Sequence, residues 1–167
     1  MGILPPRAGG DIERIVDRYQ DTVYGLALVR TGNRADADDV FQEVFLAYYQ
    51  AQKTFCNEEH RKAWLLRTTL NHCRRVTSST WKQKTVPLSE QEEIPVQFQA
   101  PEENLVWQAL QNLTEEYRLP IYLFYFQGLS TVEISKVLSI RPGTVRTRLS
   151  RGREQLREQL KGDYFNE

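Results

Sequence analysis

The 167-residue sequence has little of what several protein classes require. Its two cysteines, Cys56 and Cys73, are too few for a secreted fold held by disulfides. No run of about 18 apolar residues is present, which excludes a membrane-spanning helix. The first ten residues lack the cationic start and apolar stretch of a signal peptide. These absences predict a cytoplasmic protein without membrane insertion.

Residues that could form a metal or catalytic site are also sparse. Cys56, His60, His72 and Cys73 do not follow the common zinc-finger spacings, and two neighbours on a helix point about 100° apart. The sequence has no glycine-rich phosphate loop, and no Ser-His-Asp set has positional support. We therefore predict no metal, no cofactor and no enzymatic activity.

The net charge of zero, from 22 basic and 22 acidic residues, conceals a division along the chain. Residues 60–84 carry seven basic and no acidic side chains, and residues 141–157 carry six arginines against one glutamate. Between them, residues 87–103 carry five glutamates and no basic residue. Two basic segments are typical of a nucleic-acid partner, although two solvated helix faces would give the same pattern.

Composition divides the chain into four parts. Residues 1–10 contain two prolines and three glycines and are predicted to be a flexible tail. Residues 87–103 contain three prolines and lack helical periodicity, which predicts an acidic linker. The linker joins an N-terminal domain, 11–86, to a C-terminal domain, 104–162. The predicted fold class is all-α, with two small helical domains.

Apolar spacing predicts seven helices, and polar residues indicate where two of them start. Asp11 and Asn33 are candidate N-caps of the first and second helices. A short loop at 53–59 precedes the third helix. The predicted helices span about 11–30, 34–52, 60–79, 102–112, 115–126, 131–138 and 142–160. Pro120 falls inside one of them and should kink or restart it.

The C-terminal domain contains a helix-turn-helix pattern. Ser130 and Glu133 form a capping box that opens a short helix, and Pro142 occupies the first position of the next helix. A short helix, a turn and a longer helix define the motif, whose second helix enters the major groove of DNA.

The two sides of the last helix differ in chemistry. Val145, Leu149, Gly152 and Leu156 share one side, which is apolar or small. The opposite side carries arginines and small hydroxyl residues, a composition that suits base edges and phosphates. Thr147, Ser150 and Arg151 lie on this opposite side, and Arg146 and Arg148 flank it. The alternative is an arginine-rich surface helix without a DNA role.

The third helix carries a second basic face. Leu66, Leu70 and Cys73 recur at core spacing, whereas a separate face is basic with one amide. That face comprises Arg67, Asn71, Arg74 and Arg75, with Trp64 beside it. Cations hold phosphates and aromatic rings stack on unpaired bases, so the face suits a nucleic-acid strand. Trp64 could equally belong to the core.

The second helix has an acidic face, formed by Asp36, Asp38, Asp39 and Glu43. Phe41 and Phe45 are interleaved with these acids. If the rings are exposed, the face suits a protein partner with basic residues and would repel DNA. An ordinary solvated amphipathic helix fits the spacing equally well.

Taken together, these segments resemble the extracytoplasmic-function subgroup of bacterial RNA polymerase sigma factors. Residues 24–27 (YGLA) and 31–45 (TGNRADADDVFQEVF) resemble the polymerase-binding signature, and residues 63–71 (AWLLRTTLN) the promoter-melting helix. Three further segments resemble the family's promoter-reading helix-turn-helix: residues 113–118 (LTEEYR), 128–134 (GLSTVEI) and 142–153 (PGTVRTRLSRGR). The similarity extends from about Asp11 to Leu160.

The resemblance implies partners and a role for individual residues. Core RNA polymerase would bind Asp39, Phe41, Gln42 and Glu43. The −10 promoter element, as it melts, would contact Phe55, Asn57, Arg61, Lys62, Trp64, Arg67, Asn71, Arg74 and Arg75. The −35 element, as duplex DNA, would contact Thr144, Arg146, Thr147, Arg148, Ser150 and Arg151. The loop 55–59 would take a flipped-out base, the linker would thread the polymerase cleft, and an anti-sigma factor is expected.

Two departures from the family pattern and two rival functions remain. The loop 55–59 carries two acids, Glu58 and Glu59, so the resemblance does not imply which base the loop prefers. Gly152 replaces a small alanine and would cost about 1 kcal/mol of helix stability. A stand-alone helix-turn-helix regulator would bind DNA without polymerase. A polymerase-binding adaptor would not need the arginine face of the last helix.

Overall fold

The chain is all-α and divides into two compact units, residues 1–98 and 99–167. The computed structural model describes residues 9–83 and 105–165, with side chains over 11–77 and 105–161. Within those ranges every regular element is helical, which confirms the predicted fold class. The acidic linker 87–103 and residues 1–8 of the predicted tail 1–10 lie outside the described residues, whereas Gly9 and Gly10 belong to the first helix.

The N-terminal unit is formed by three helices that all contact one another. They are α1 (Gly9–Thr31), α2 (Arg34–Ala51) and α3 (Glu58–Gln83). Each contributes an apolar stripe at helical spacing, and burial of these stripes holds the helices together. The fully buried side chains include Val23, Leu26, Val29, Val40, Val44, Leu65 and Leu66.

Side-chain caps define where two helices of the N-terminal unit begin. The Asn33 side chain accepts a hydrogen bond from the Asp36 backbone N–H at 2.8 Å, which confirms Asn33 as the N-cap of α2. The Asn57 side chain likewise accepts from the His60 N–H at 2.8 Å, so α3 starts two residues earlier than predicted. The prediction for Asp11 was wrong, because α1 begins at Gly9 and Asp11 lies within its first turn.

The C-terminal unit is a cluster of short helices packed against one long helix. These are α4 (Leu105–Asn112), α5 (Glu115–Ile121), α6 (Thr131–Leu138) and α7 (Pro142–Phe165), with a π-helical turn after α5 (Tyr122–Phe126). Its buried side chains include Trp107, Leu110, Leu123, Ile134, Val145 and Leu149. The helix predicted over 102–112 is described only from Leu105.

The segment around Pro120 is one helical run whose hydrogen bonding changes. Pro120 has no N–H to donate, and the α-helical pattern gives way to a π-helical turn at Tyr122. The Gln127 N–H donates to the Tyr122 carbonyl at 3.3 Å, five residues back. The turn stacks the rings of Tyr122 and Phe126 at 5.4 Å, and both meet Trp107 edge-on. The predicted break is therefore a change of helix type that builds an aromatic cluster.

The helix-turn-helix forms as the sequence predicts. Ser130 accepts from the Glu133 N–H, and Glu133 accepts from the Ser130 N–H, both at 3.1 Å. This reciprocal capping box starts α6, which ends at Ser139 in the left-handed conformation, with φ of 56°. Pro142 occupies the first position of α7.

Gly152 is a packing requirement, which corrects the prediction that it only weakens its helix. A Cβ atom at position 152 would lie 2.8 Å from Cγ1 of Ile121 and 3.4 Å from Cβ of Tyr117. Ile121 is 1% exposed and therefore has little room to move. The missing side chain is what allows α7 to approach α5 so closely.

We expect Gly152→Ala to destabilise the C-terminal unit. Overpacking costs about 1–3 kcal/mol, and the gain in helix propensity offsets only about 1 kcal/mol of it. Gly143→Ala is a matched control on the same helix, because its Cβ would meet only Nη2 of Arg146 at 3.6 Å, an ordinary contact. Thermal unfolding should show a lower midpoint for Gly152→Ala alone. Equal or higher stability of Gly152→Ala would contradict the packing role.

Candidate nucleic-acid interface

Helix α7 presents a buried side and a basic exposed side. Val145 and Leu149 are buried at 0% and 2% exposure, and Gly152 faces α5. Arg146, Thr147, Ser150 and Arg151 are exposed, and Thr144 is half-buried. Four of the six residues predicted for −35 recognition are therefore exposed, and the other two, Thr144 and Arg148, are half-buried.

Arg148 differs from the other residues of this face. Its side chain is 29% exposed, and its Nε lies 3.6 Å from Oε1 of Glu116 on α5. A shallow polar concavity of about 460 Å³ lies beside this pair. It is lined by Glu116, Arg141, Gly143, Thr144, Thr147, Arg148 and Arg151. Glu116 thus places an acid next to the basic face of α7. The residues of α7 alone could not predict this acid, because Glu116 lies on α5.

The basic face of α3 is exposed opposite its core face. Leu66, Leu70 and Cys73 are buried, as the spacing predicts. The exposed residues are Arg67, Asn71, Arg74 and Arg75, while Lys62 is half-buried. Three arginines and an amide thus line about two turns of one helix, a surface suited to a phosphate backbone.

An aromatic cluster lies where α2, the 52–57 loop and α3 meet. The rings of Tyr48 and Phe55 stack with centroids 5.9 Å apart, and Trp64 meets each of them edge-on at 5.9 Å. Phe55 and Trp64 are both half-buried. Trp64 therefore belongs partly to the core and partly to the surface. One part of its ring packs inside the protein, and the rest is accessible to solvent.

Two other residues predicted to contact the −10 element are engaged within the protein. The Asn57 side-chain oxygen caps α3. The Arg61 guanidinium donates to Glu58 and lies 5.3 Å from the centroid of Phe55. Glu58 also accepts a hydrogen bond from the Tyr19 hydroxyl. These two bonds lower the pKa of Glu58, whereas burial and Glu58 itself raise the pKa of Tyr19.

The acidic face of α2 holds three of the residues predicted to bind polymerase. Gln42 and Glu43 are exposed and Asp39 is half-buried. Burial raises the pKa of Asp39, and the neighbouring Asp36 and Glu43 raise it further. Oε2 of Glu43 lies 2.9 Å from Nδ1 of His72 on α3. Helix α2 therefore presents closely spaced carboxylates that repel one another.

Phe41 and Phe45 are buried, so the second interpretation of α2, an amphipathic helix, holds for these rings, and Phe41 is not available as the direct polymerase contact that the resemblance implies. Their exposures are 8% and 6%, and their ring centroids lie 4.9 Å apart. Phe41 also meets the ring of Tyr24 edge-on at 6.0 Å. The reason is periodicity, because positions 41 and 45 continue the buried stripe of Ala37, Val40 and Val44. Phe41 therefore lies on the buried side of α2, whereas Gln42 and Glu43 lie on its exposed side.

Two exposed apolar residues on α2 were missed. Leu46 and Tyr49 are 55% and 63% exposed and follow Asp39, Gln42 and Glu43 at helical spacing. The signal that could have found them is this spacing, since an apolar side chain on the acidic stripe has no core to enter. The resulting mixed surface is typical of a protein contact.

A second apolar surface, also missed, lies on the C-terminal unit. A groove of about 880 Å³ runs between α4, the π-helical turn and α7. Its floor and walls are Val106, Ile121, Tyr125, Phe126, Leu156 and Leu160, and its rim carries Arg153, Arg157 and Lys161. Val106, Tyr125 and Phe126 are each at least 39% exposed, and clustered exposure of this kind marks a protein-binding surface.

Neither a metal site nor a membrane span is found among the described residues. No group of three or more His, Cys, Asp or Glu side chains there could hold a metal ion. No helix within 9–83 or 105–165 is both long and apolar enough to cross a bilayer.

The fold and its surfaces are those of a helical protein with an exposed basic face on each of two units, a distribution of charge that suits a nucleic-acid partner. Two family descriptions match the chain in order: Sigma-70 region 2 over residues 15–83, and Sigma-70, region 4 over residues 103–156.

Individual relatives agree with this match. ECF RNA polymerase sigma factor SigW of Bacillus subtilis is 32% identical over 163 residues, covering 88% of this chain and 87% of the relative. RNA polymerase sigma-H factor of Pseudomonas aeruginosa is 30% identical, covering 87% and 84%. The solved structure of the sigma factor RpoE with the anti-sigma factor NepR from Bartonella quintana has the same fold, with a TM-score of 0.67, 22% identity and coverage of 92% and 98%.

The chain belongs to the extracytoplasmic-function subgroup of the sigma-70 family. It is an alternative sigma factor, a transcription initiation factor that directs RNA polymerase to promoters.

Proposed function

We propose that the protein assembles with core RNA polymerase through α2 and reads a two-part promoter with its two units. The N-terminal unit takes the −10 element as it melts, through the basic face of α3 and the 55–59 loop. The C-terminal unit reads the −35 element as duplex, through the exposed face of α7.

The observation that carries this proposal is the presence of an exposed basic helix face on each unit. Arg67, Asn71 and Arg74 form one face, and Arg146 and Arg151 belong to the other. The first has half-buried aromatic rings beside it, which favours unpaired bases. The second lies on the recognition helix of a helix-turn-helix, which favours duplex DNA.

Division of recognition between two small units has a physical advantage. Each face offers only a few contacts and would bind DNA weakly by itself. Attachment of both units to one polymerase turns the second binding event into an intramolecular one and raises its effective concentration. The polymerase also fixes the spacing between the two promoter elements.

We further propose that an anti-sigma factor regulates this chain. The sigma factor RpoE of Bartonella quintana, whose fold is similar, forms a complex with such a partner. The exposed apolar residues Leu46 and Tyr49, and the groove beside α7, are surfaces that a protein inhibitor can cover.

Selection from a pool of random duplex DNA tests the proposed function. Purified protein is mixed with bacterial core polymerase, and bound DNA is recovered and sequenced, with protein alone and core alone as controls. We expect two conserved blocks at a fixed spacing, recovered only when protein and core are both present. One block recovered without polymerase would instead support the stand-alone regulator. Core retention without any enriched sequence would support the adaptor.

Asp39→Asn is expected to raise stability and to weaken polymerase binding. The pKa of Asp39 is raised in the folded protein, so its ionised form opposes folding at neutral pH, and stability falls as pH rises from the unfolded pKa through the folded one. The neutral amide removes this repulsion. Thermal unfolding at pH 7 should show a higher midpoint, and the difference should vanish in acid. Unchanged retention on core polymerase would contradict the binding role.

A further inference from the structure

The Glu58 carboxylate, at the start of α3, interacts with three other side chains. It accepts hydrogen bonds from the Tyr19 hydroxyl of α1 and from the Arg61 guanidinium one turn along α3. Nη1 of Arg18 lies 3.8 Å from its Oε2. Because Tyr19 is only 5% exposed, Glu58 ties the end of the 52–57 loop to a fixed point in the core.

Arg61 extends this connection to Phe55. Its guanidinium carbon lies 5.3 Å from the centroid of the Phe55 ring, and Nζ of Lys53 lies 6.0 Å from the same centroid. The other neighbours of the ring are aromatic. Tyr48 stacks on it, and Trp64 and His60 meet it edge-on. A cation above an aromatic ring contributes an attraction that depends on its position.

The loop backbone is held by the same helix start. The Cys56 N–H lies 3.3 Å from Nδ1 of His60, and the Asn57 side chain caps α3. Gln52 begins the loop in the left-handed conformation, with φ of 46°. Phe55 thus has a defined place, although it lies in a loop.

Arg61 also differs in exposure from the arginines further along α3. Its side chain is 20% exposed, whereas Arg67 and Arg74 are exposed residues. A guanidinium that is already bound to Glu58 and placed over a ring is poorly available to a phosphate. Its position is better suited to shaping the loop than to holding the DNA backbone.

We propose that Glu58 is a positioning residue, which acts through the Arg61 guanidinium to hold Phe55 and its loop in the shape that receives an unpaired promoter base. The inference rests on the proposed function, since it assumes that the N-terminal unit binds the melted −10 strand. On this inference, Arg61 does not contact the DNA phosphates. Arg61 instead holds Phe55 and its loop in place from within the protein.

The test uses holoenzyme assembled from the full chain and core polymerase. The DNA is a fork with duplex −35 and an unpaired non-template −10 strand, in the sequence recovered by the selection above. Each unpaired position is made abasic in turn, and Kd is measured at several salt concentrations. The variants are Glu58→Gln and Arg61→Gln, with Asp17→Asn on the exposed side of α1 as the control for loss of one carboxylate.

For the wild-type protein we expect one position at which removal of the base weakens binding about tenfold, the size of one stacked base. Glu58→Gln and Arg61→Gln should each reduce this effect to about twofold or less, with the other positions and the salt dependence unchanged. Asp17→Asn should keep the tenfold effect. Arg67→Gln should weaken all positions alike and reduce the salt slope by about 1, as expected for a phosphate contact.

Four outcomes would overturn the inference. If Glu58→Gln and Arg61→Gln keep the full base dependence, the network does not position the loop. Arg61→Gln could behave as Arg67→Gln does, which would make Arg61 a phosphate contact. A uniform loss at every position with a lower thermal midpoint would show a role in stability only. If wild-type holoenzyme itself shows no base-dependent position, the proposed reading of the −10 strand fails, and this inference fails with it.

Discussion

Replacing Phe41 by alanine is expected to destabilise the N-terminal unit by about 3–5 kcal/mol, the range for a buried phenylalanine. The ring is 8% exposed and packs between Tyr24 and Phe45. Its removal leaves a cavity directly beneath the acidic face of α2. Denaturant unfolding should report the loss of stability, and any loss of polymerase binding should follow the fraction of unfolded protein.

Leu46→Ala and Tyr49→Ala are the matched controls on the same helix. Both residues are more than half exposed, so truncation should change stability by less than about 0.5 kcal/mol. If α2 binds polymerase, these variants should reduce retention on core polymerase while remaining folded. A Phe41→Ala protein of unchanged stability that no longer binds polymerase would contradict the core assignment.

Arg151→Ala is expected to weaken −35 recognition by about 1–3 kcal/mol, a range typical of a bidentate arginine–guanine contact. Arg151 is exposed on the side of α7 that we propose contacts DNA, one residue before the glycine that packs on α5. The effect should be concentrated at one base pair of the −35 element. Footprinting with base-substituted promoters measures it, and retention on core polymerase should be unchanged.

Arg157→Ala provides the control for charge. Arg157 lies on the same helix but lines the apolar groove on another side. Its loss should weaken promoter binding only slightly and without base preference, because it acts on DNA through long-range charge alone. If Arg151→Ala lost polymerase binding and promoter binding equally, the assignment of Arg151 to DNA would fail.

Features with a local cause could be predicted from the sequence. Asn33, Ser130 and Glu133 cap helices through hydrogen bonds to residues three positions away, and Pro142 starts a helix because it needs no N–H. All of these interactions lie within one turn. The helix-turn-helix and the exposed basic side of α7 follow from them and from helical spacing.

Features that depend on distant residues could not be predicted. The crowding at Gly152 comes from Ile121 on another helix, so a helix propensity alone gave an incomplete account. Glu58 meets Tyr19 from a position 39 residues away, and without that contact Arg61 reads as a surface cation. The groove beside α7 similarly requires residues from four elements, α4, α5, the π-helical turn and α7.

The placement of Phe41 is a different case, because the sequence contained the answer. Positions 37, 40, 41, 44 and 45 form a continuous apolar stripe, which predicts burial for both phenylalanines. The polymerase contact expected at Phe41 came from the family resemblance and not from the helical spacing. Consistent use of the helical period would have selected Leu46 and Tyr49 as the exposed apolar residues.

Run-off transcription tests whether the protein makes core polymerase start transcription at the two-part promoter. Core polymerase is supplied with a template that carries the selected two-block sequence, with and without this protein, and the start site is mapped. We expect a discrete transcript that requires the protein and is lost when either block is scrambled. A protein that binds core polymerase and this template but never produces a transcript would contradict the proposed promoter reading.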